Sequence, residues 1–223
     1  MEITLDREKT QIISEIIHSY PDEERNELHL TDAVYCPMKA YNRLTGMKPR
    51  VKGKVAAYFI IGKALHNIIE EKFDLFEVEF IDTVTDAQAH IDILWEELPI
   101  EVKTTRVSIR KAEDLYPHWK EQIAYELVYT GKLEGWILVL DIVRARPTVW
   151  KVKMDKEELE GWRRIFLERM KVLKEAIEKR DPSKLTPIDW ECKNCVYNYE
   201  GGCPKRPSVR NVATSQQVEE VKV

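Results

Sequence analysis

Asp92, Glu101 and Lys103 are the residues of this chain whose types and spacing best suit chemistry. They lie in the run Gln88–Lys103, where two apolar, β-prone arms flank a short acidic segment and Pro99. That pattern predicts a hairpin. Side chains alternate along a strand, so Glu101 and Lys103 project from one face and Val102 from the other. Pairing of the arms brings Asp92 beside Glu101. Two carboxylates can hold a hard divalent cation such as Mg²⁺ or Mn²⁺, with water completing the shell. Such an ion polarises a phosphoryl oxygen and makes water more acidic. A lysine one strand step from a ligand can orient that water and offset negative charge on the phosphate. The competing reading is a surface hairpin with a solvated Glu–Lys pair, because short motifs also match by chance.

The flanking segments have to position these groups. Ile12, Ile13, Ile16 and Ile17 recur at helical spacing and predict an accessory helix over residues 6–18. Thr31 or Asp32 suits the cap of a short helix, and Pro37 suits the start of another, with Cys36 fixed and accessible at its entrance. The basic segment Lys48, Arg50, Lys52 and Lys54 reads as a mobile linker loosened by Gly46 and Gly53. Residues 55–73 predict a helix with Phe59, Ile60, Ala64, Ile68 and Ile69 on its apolar face and His66 within it. A strand at Leu75–Ile81 leads into the hairpin. Residues 117–130 form the next expected helix, stopped by Gly131, with Gln122 and Tyr125 on a shared face. Trp136–Val143 reads as a buried strand and Pro147–Val152 as an edge strand. A long charged helix at 155–179, opened by Asp155, follows. Helix, three strands, helix, two strands, helix predicts one α/β domain with a mixed sheet flanked by helices.

Three of the four cysteines close the folded part. Cys192 and Cys195 are spaced to reach one metal centre, and Gly201-Gly202 lets the chain turn to bring in Cys203. A four-sulfur zinc site or an iron–sulfur cluster needs one more thiolate, and Cys36 is the remaining cysteine. Disulfides are the alternative, disfavoured inside most cells.

Composition narrows the classes. The chain has 223 residues, 33% of them charged, and a net charge of −4. It is no uniformly basic nucleic-acid binder, so phosphate contacts would use local patches: Lys48–Lys54, Arg106 with Arg110 and Lys111, and Arg144 with Arg146. No apolar run is long enough to span a membrane, and the N-terminus lacks a signal-peptide pattern. A cytoplasmic location is expected. Abundant Lys, Arg and Glu lean toward a thermophilic source.

An early Cys before a basic segment, a helical His, Asp…Glu-x-Lys, Gln and Tyr on the next helix and a C-terminal three-Cys group occur here in that order. Together they resemble the CRISPR-associated four-cysteine RecB-like exonucleases of the PD-(D/E)xK nuclease superfamily, across residues 30–206. The resemblance implies a restriction-endonuclease-like core, a [4Fe–4S] cluster and Mg²⁺- or Mn²⁺-dependent cleavage of single-stranded DNA or DNA ends. It implies His66, Asp92, Glu101 and the Val102 carbonyl as metal ligands and Lys103 as the catalytic lysine. Gln122 and Tyr125 would contact Lys103 or DNA, and Cys36, Cys192, Cys195 and Cys203 would hold the cluster. Two positions depart from the family pattern: His90 stands where Gly is frequent, and Gln122 and Tyr125 are three apart where four is usual. The expected organisation is an accessory helix (1–28), a Cys36 segment with basic linker (29–54), a nuclease core (55–182), a C-terminal cluster segment (183–207) and a disordered tail (208–223). Expected partners are DNA and CRISPR integrase proteins, with a homo-oligomer left open. A non-catalytic DNA-binding subunit of a spacer-acquisition or repair complex is the alternative function. A ring closed by Cys36 and the C-terminal cysteines would let a single strand thread past the site, with Tyr35, Tyr41 or Trp119 stacking on bases.

Overall fold

A computed structural model describes residues 26–50 and 53–205. The expected helix at 6–18, Lys52, the side chain of Lys54 and the tail at 208–223 lie outside the described residues. Helices α1 (Thr31–Val34), α2 (Pro37–Leu44) and α3 (Gly53–Glu70) precede three strands, β1 (Phe76–Ile81), β2 (Gln88–Trp95) and β3 (Leu98–Thr105). Helix α4 (Pro117–Thr130) leads to β4 (Glu134–Asp141) and β5 (Arg146–Lys153), then α5 (Lys156–Lys179) and the short α6 (Asp189–Cys192). The sheet runs β1-β2-β3-β4-β5. Among the described strands only β3 and β4 pair in parallel, because α4 supplies the crossover that parallel neighbours need. The expected mixed α/β sheet flanked by helices is what forms.

Local chemistry explains the main boundaries. Glu96 and Glu97 take φ of 50° and 64°, the left-handed pair that a two-residue hairpin turn requires. Pro117 opens α4 at its first turn, and Gly131 ends it at φ 66°. Asp155 and Glu158 form a reciprocal capping box at the start of α5.

The two sheet faces differ. Ile137 and Val139 pack with Trp119 and Ile123 of α4. Val102 and Ile100 pack with Ile93, and Ile69 of α3 lies against them. The remainder of the expected α3 apolar face is open: Phe59 and Ile68 are more than half exposed, at 53% and 56%. The helix meets the sheet along a narrower stripe than its apolar residues define.

Three smaller expectations also change. Neither Thr31 nor Asp32 caps α1; Leu30 holds that position, and Asp32 instead accepts the His29 N–H at 2.9 Å. Cys36 does stand at the entrance of α2 but is buried there, not accessible. The segment around Lys48 and Arg50 is tied down, not a loose linker. Its Lys48 carbonyl accepts the Tyr199 hydroxyl at 2.7 Å, and the Arg50 N–H donates to the Val196 carbonyl at 2.8 Å.

Candidate functional site

Strands β2 and β3 pair from Trp95–Leu98 to Ile93–Ile100. At the next position the Asp92 carboxylate accepts the Val102 N–H at 2.8 Å. A side chain thus satisfies a backbone donor that a strand partner would otherwise satisfy. Asp92 is held at the fork between the strands. Helix α3 approaches it with His66, whose Nδ1 lies 3.9 Å from Asp92 and 3.4 Å from Glu70. One ligand atom each of His66, Glu70 and Asp92 lies within 4.8 Å of the others, a geometry able to hold a metal ion. Glu70 was not singled out from sequence. Its signal was there, four residues after His66 on one helix.

On β3, Lys103 forms an ion pair with the fully buried Glu101 and donates to Gln122 Oε1 at 3.0 Å. The Tyr35 hydroxyl donates to the same Gln122 oxygen at 3.5 Å. Apart from Lys103 and the Glu126 carboxyl, no donor among the described residues reaches Glu101. Val102 offers the site its backbone alone, since its side chain is buried in the core.

This crowding sets the charges. Burial, then repulsion by Glu101, raises the Asp92 carboxyl well above its usual range against the pull of Lys103. Burial likewise acts to raise Glu101, but Lys103 and a hydrogen bond from Glu126 outweigh it and leave Glu101 lowered. Burial and then Glu101 raise Glu126 well above the ordinary range. Burial alone would lower Lys103, yet Glu101 carries it above its ordinary value. The shifts thus favour the charged forms of Glu101 and Lys103 and the neutral forms of Glu126 and Asp92, and a cation bound at Asp92 would oppose its shift.

The expected contact of Tyr125 with Lys103 or DNA is not met. Tyr125 is fully buried, packs on Phe166 and Trp162, and receives an Arg169 N–H at 3.1 Å. Helix α4 is buried on several sides, and its Tyr125 side turns to α5. Glu126, four residues after Gln122, is the helix residue that meets Glu101. Tyr41 and Trp119 are also core residues, so neither is open to a base. His90 stacks on His29 and lies 3.9 Å from Glu79 across β1. Of the expected DNA contacts, Arg106 covers the Tyr58 ring at 4.3 Å and donates to its hydroxyl at 3.0 Å. Arg50 covers the Tyr199 ring at 4.2 Å, and Lys48 is exposed beside it.

Cys36, Cys192, Cys195 and Cys203 line one small cavity, all as free thiols. No three of these sulfurs come within 4.8 Å of one another. A single zinc at about 2.3 Å from each sulfur would draw four of them to about 3.8 Å apart. The Cys36 N–H donates to Glu191 at 2.6 Å, and Lys39 pairs with the same carboxylate at 3.0 Å. Gly202 lets Cys203 return, because a Cβ there would meet the Tyr197 carbonyl at 2.4 Å. Burial, then the neighbouring thiols, pushes Cys192 up to about 11, and burial raises Cys195. Asn42 lines the same cavity, is 1% exposed, and has no hydrogen-bond partner among the described residues for either side-chain amide atom. Tyr35, adjacent to Cys36, connects this cavity to Gln122 and Lys103.

Among the described residues, no helix is long and apolar enough to cross a membrane. No protein-family model and no curated protein matches the chain. Among solved structures, the chain is similar to the crystal structure of SSO0001, with 20% identity and a TM-score of 0.59 over 90% of this chain and 98% of that one. At that identity the likeness establishes a shared α/β fold.

Proposed function

We propose that this chain is a Mg²⁺- or Mn²⁺-dependent deoxyribonuclease of the four-cysteine RecB-like, PD-(D/E)xK kind, acting as an exonuclease on single-stranded DNA or DNA ends. The observation that carries this reading is the meeting of Asp92, Glu101 and Lys103 where β2 and β3 part, with His66 beside them. A divalent ion held there supplies Lewis-acid activation of the phosphate and of water. Asp92, His66 and Glu70, whose ligand atoms lie within 4.8 Å of one another, would hold it, while Glu101, the other expected ligand, stands outside that group in its ion pair with Lys103. Lys103 stays protonated and is aimed by Gln122 and Glu101, so it stabilises charge on the phosphate and orients the attacking water. It does not act as a base. Glu126, kept neutral, donates to Glu101 and fixes that carboxylate.

The same reading assigns the four cysteines to a structural [4Fe–4S] cluster. Four free thiols on one cavity, spaced more widely than a single zinc requires, suit a polynuclear cluster. The unpartnered Asn42 amide fits it too, because cluster sulfurs accept hydrogen bonds. The role that accompanies this reading is trimming DNA for CRISPR spacer acquisition beside integrase proteins.

Cleavage of end-labelled single- and double-stranded DNA by anaerobically purified protein tests the proposal, with Mn²⁺, Mg²⁺ or chelator and beside Asp92→Ala. Metal-dependent release of nucleotides that disappears in the variant is expected. An intact protein that binds DNA but never cleaves it under these metals would replace the nuclease by a DNA-binding subunit.

A further inference from the structure

Loop residues 106–111 and the β4–β5 turn are far apart in sequence but come together in space. Arg110, Arg144 and Arg146 line one concave pocket together with Val139 and Trp150. Asp141, at the end of β4, organises it. Its carboxylate accepts the Ser108 hydroxyl at 2.7 Å, the Arg144 guanidinium at 2.9 Å, and the Val143 and Arg144 backbone N–H groups at 3.1 Å each. Hydrogen bonds from Ser108, followed by those from Arg144 and Val143, hold Asp141 down at about 2 against burial. Asp141 is therefore an ionised anchor that joins the two segments and aims Arg144. Arg110 and Arg146 have no side-chain ion pair among the described residues. Three guanidinium groups against one carboxylate leave the pocket with an excess of positive charge.

Strand register ties this pocket to the candidate nuclease site. Lys103 pairs with Val139, and Thr105 pairs with Asp141. Val139 is therefore both the cross-strand neighbour of Lys103 and part of the arginine pocket. At about 3.3 Å per residue, Thr105 lies about 6.6 Å beyond Lys103 on the same face of β3. A strand whose reacting phosphate sits at Lys103 would bring its next phosphates to these arginines. Guanidinium groups match phosphate oxygens bidentately.

We infer that Arg110, Arg144 and Arg146 form a phosphate subsite that grips the DNA strand flanking the scissile bond. The inference rests on the nuclease reading for its substrate, yet it is measured by binding. The test is titration of a labelled oligo-dT by the Asp92→Ala protein in chelator, over a range of salt, beside the same protein carrying Arg110→Gln and Arg146→Gln. Both arginines are exposed, and their replacement is expected to leave the thermal midpoint unchanged. The double variant is expected to bind more weakly, with the slope of log K against log salt reduced by about 0.7 per lost phosphate contact, or about 1.4 in all.

An unchanged slope alongside metal-dependent cleavage by the wild type would overturn the subsite and keep the nuclease. A reduced slope without cleavage under any metal would keep the subsite and overturn the nuclease. No DNA binding at all overturns both. Inorganic phosphate binding lost in the double variant while the DNA slope stays unchanged would mark a small-anion site and overturn the inference as well.

Discussion

The carboxylate–lysine site and the cysteine cavity are neighbours built on opposite principles. In the first, Asp92, Glu101 and Lys103 come from one hairpin and its continuation, and a cation of the protein itself, Lys103, balances the buried charge. In the second, Cys36 meets cysteines more than 150 positions later in the chain. Lys39, the nearby cation, is already paired with Glu191. Four thiolates would repel one another, so burial and mutual repulsion keep the Cys192 thiol protonated. The first site is assembled before any ligand arrives. In the proposed reading the second would take its balancing charge from a metal that displaces the thiol protons.

The largest effect should come from removing the internal cation. Lys103→Met is expected to lower cleavage by about 10²–10³-fold, the cost of losing one donor that stabilises developing charge. It should also destabilise the fold by about 3–5 kcal/mol, because it leaves Glu101 buried without its partner. Urea denaturation in chelator measures the second part. A stable Lys103→Met protein would mean that Glu101 is not held as an ion.

Cys203→Ala should act on the other region and leave the first alone. Visible absorbance and bound iron per chain should be lost, together with the stabilisation that bound metal adds. The urea midpoint of the metal-free protein should stay near that of the metal-free wild type. Iron retained at the wild-type ratio would remove Cys203 from the ligand set.

Glu126→Gln separates charge from contact. Glu126 holds its proton more firmly in the fold, so its contribution is complete below the ordinary glutamate range near pH 4.3 and declines as pH rises above it. The Gln variant keeps a donor to Glu101 without that decline. Relative to wild type its stability should rise as pH climbs above the ordinary glutamate range, read from urea midpoints in chelator at pH 5, 7 and 9. A constant difference across that range would show that Glu126 is not proton-linked to folding.

The smallest effect belongs to His118, which stacks on Trp190 at 4.7 Å and so joins α4 to the cysteine segment. Burial, then Lys103, lowers it to about 4. Above pH 6.5 it is neutral whether folded or unfolded and adds no pH dependence. As pH falls from 6.5 to about 4 the unfolded chain takes up the proton first, so stability is lost over that window and levels off below it. His118→Gln should flatten this loss, as measured by denaturation midpoints across the window.

Local periodicity carried much of the architecture. The hairpin, the α4 stop at Gly131, the capped α5 and the edge position of β5 all follow from patterns within one element, where backbone geometry and nearest neighbours dominate. The pairing of Asp92 with the β3 backbone is of the same kind, because a short hairpin leaves few registers. The α3 face and Tyr125 were less legible. An apolar or aromatic side chain states that it prefers burial, but not which neighbour will bury it. Packing of α4 against α5 turned Tyr125 toward Phe166 and left Glu126 for Glu101.

By itself, then, the sequence determined the order of elements, the two groups of reactive residues and the strand step that sets Glu101 and Lys103 on one face. Tertiary structure alone decided what lies across space. It brought Glu70 to His66 and Asp92, aimed Asn42 into the cysteine cavity, buried Cys36, and joined Arg110 to Arg144 and Arg146. The reason is physical: spacing along a chain specifies contacts within a helix or strand. Contacts between elements depend on how their faces pack, and the charge of each buried group is set only once those neighbours are in place.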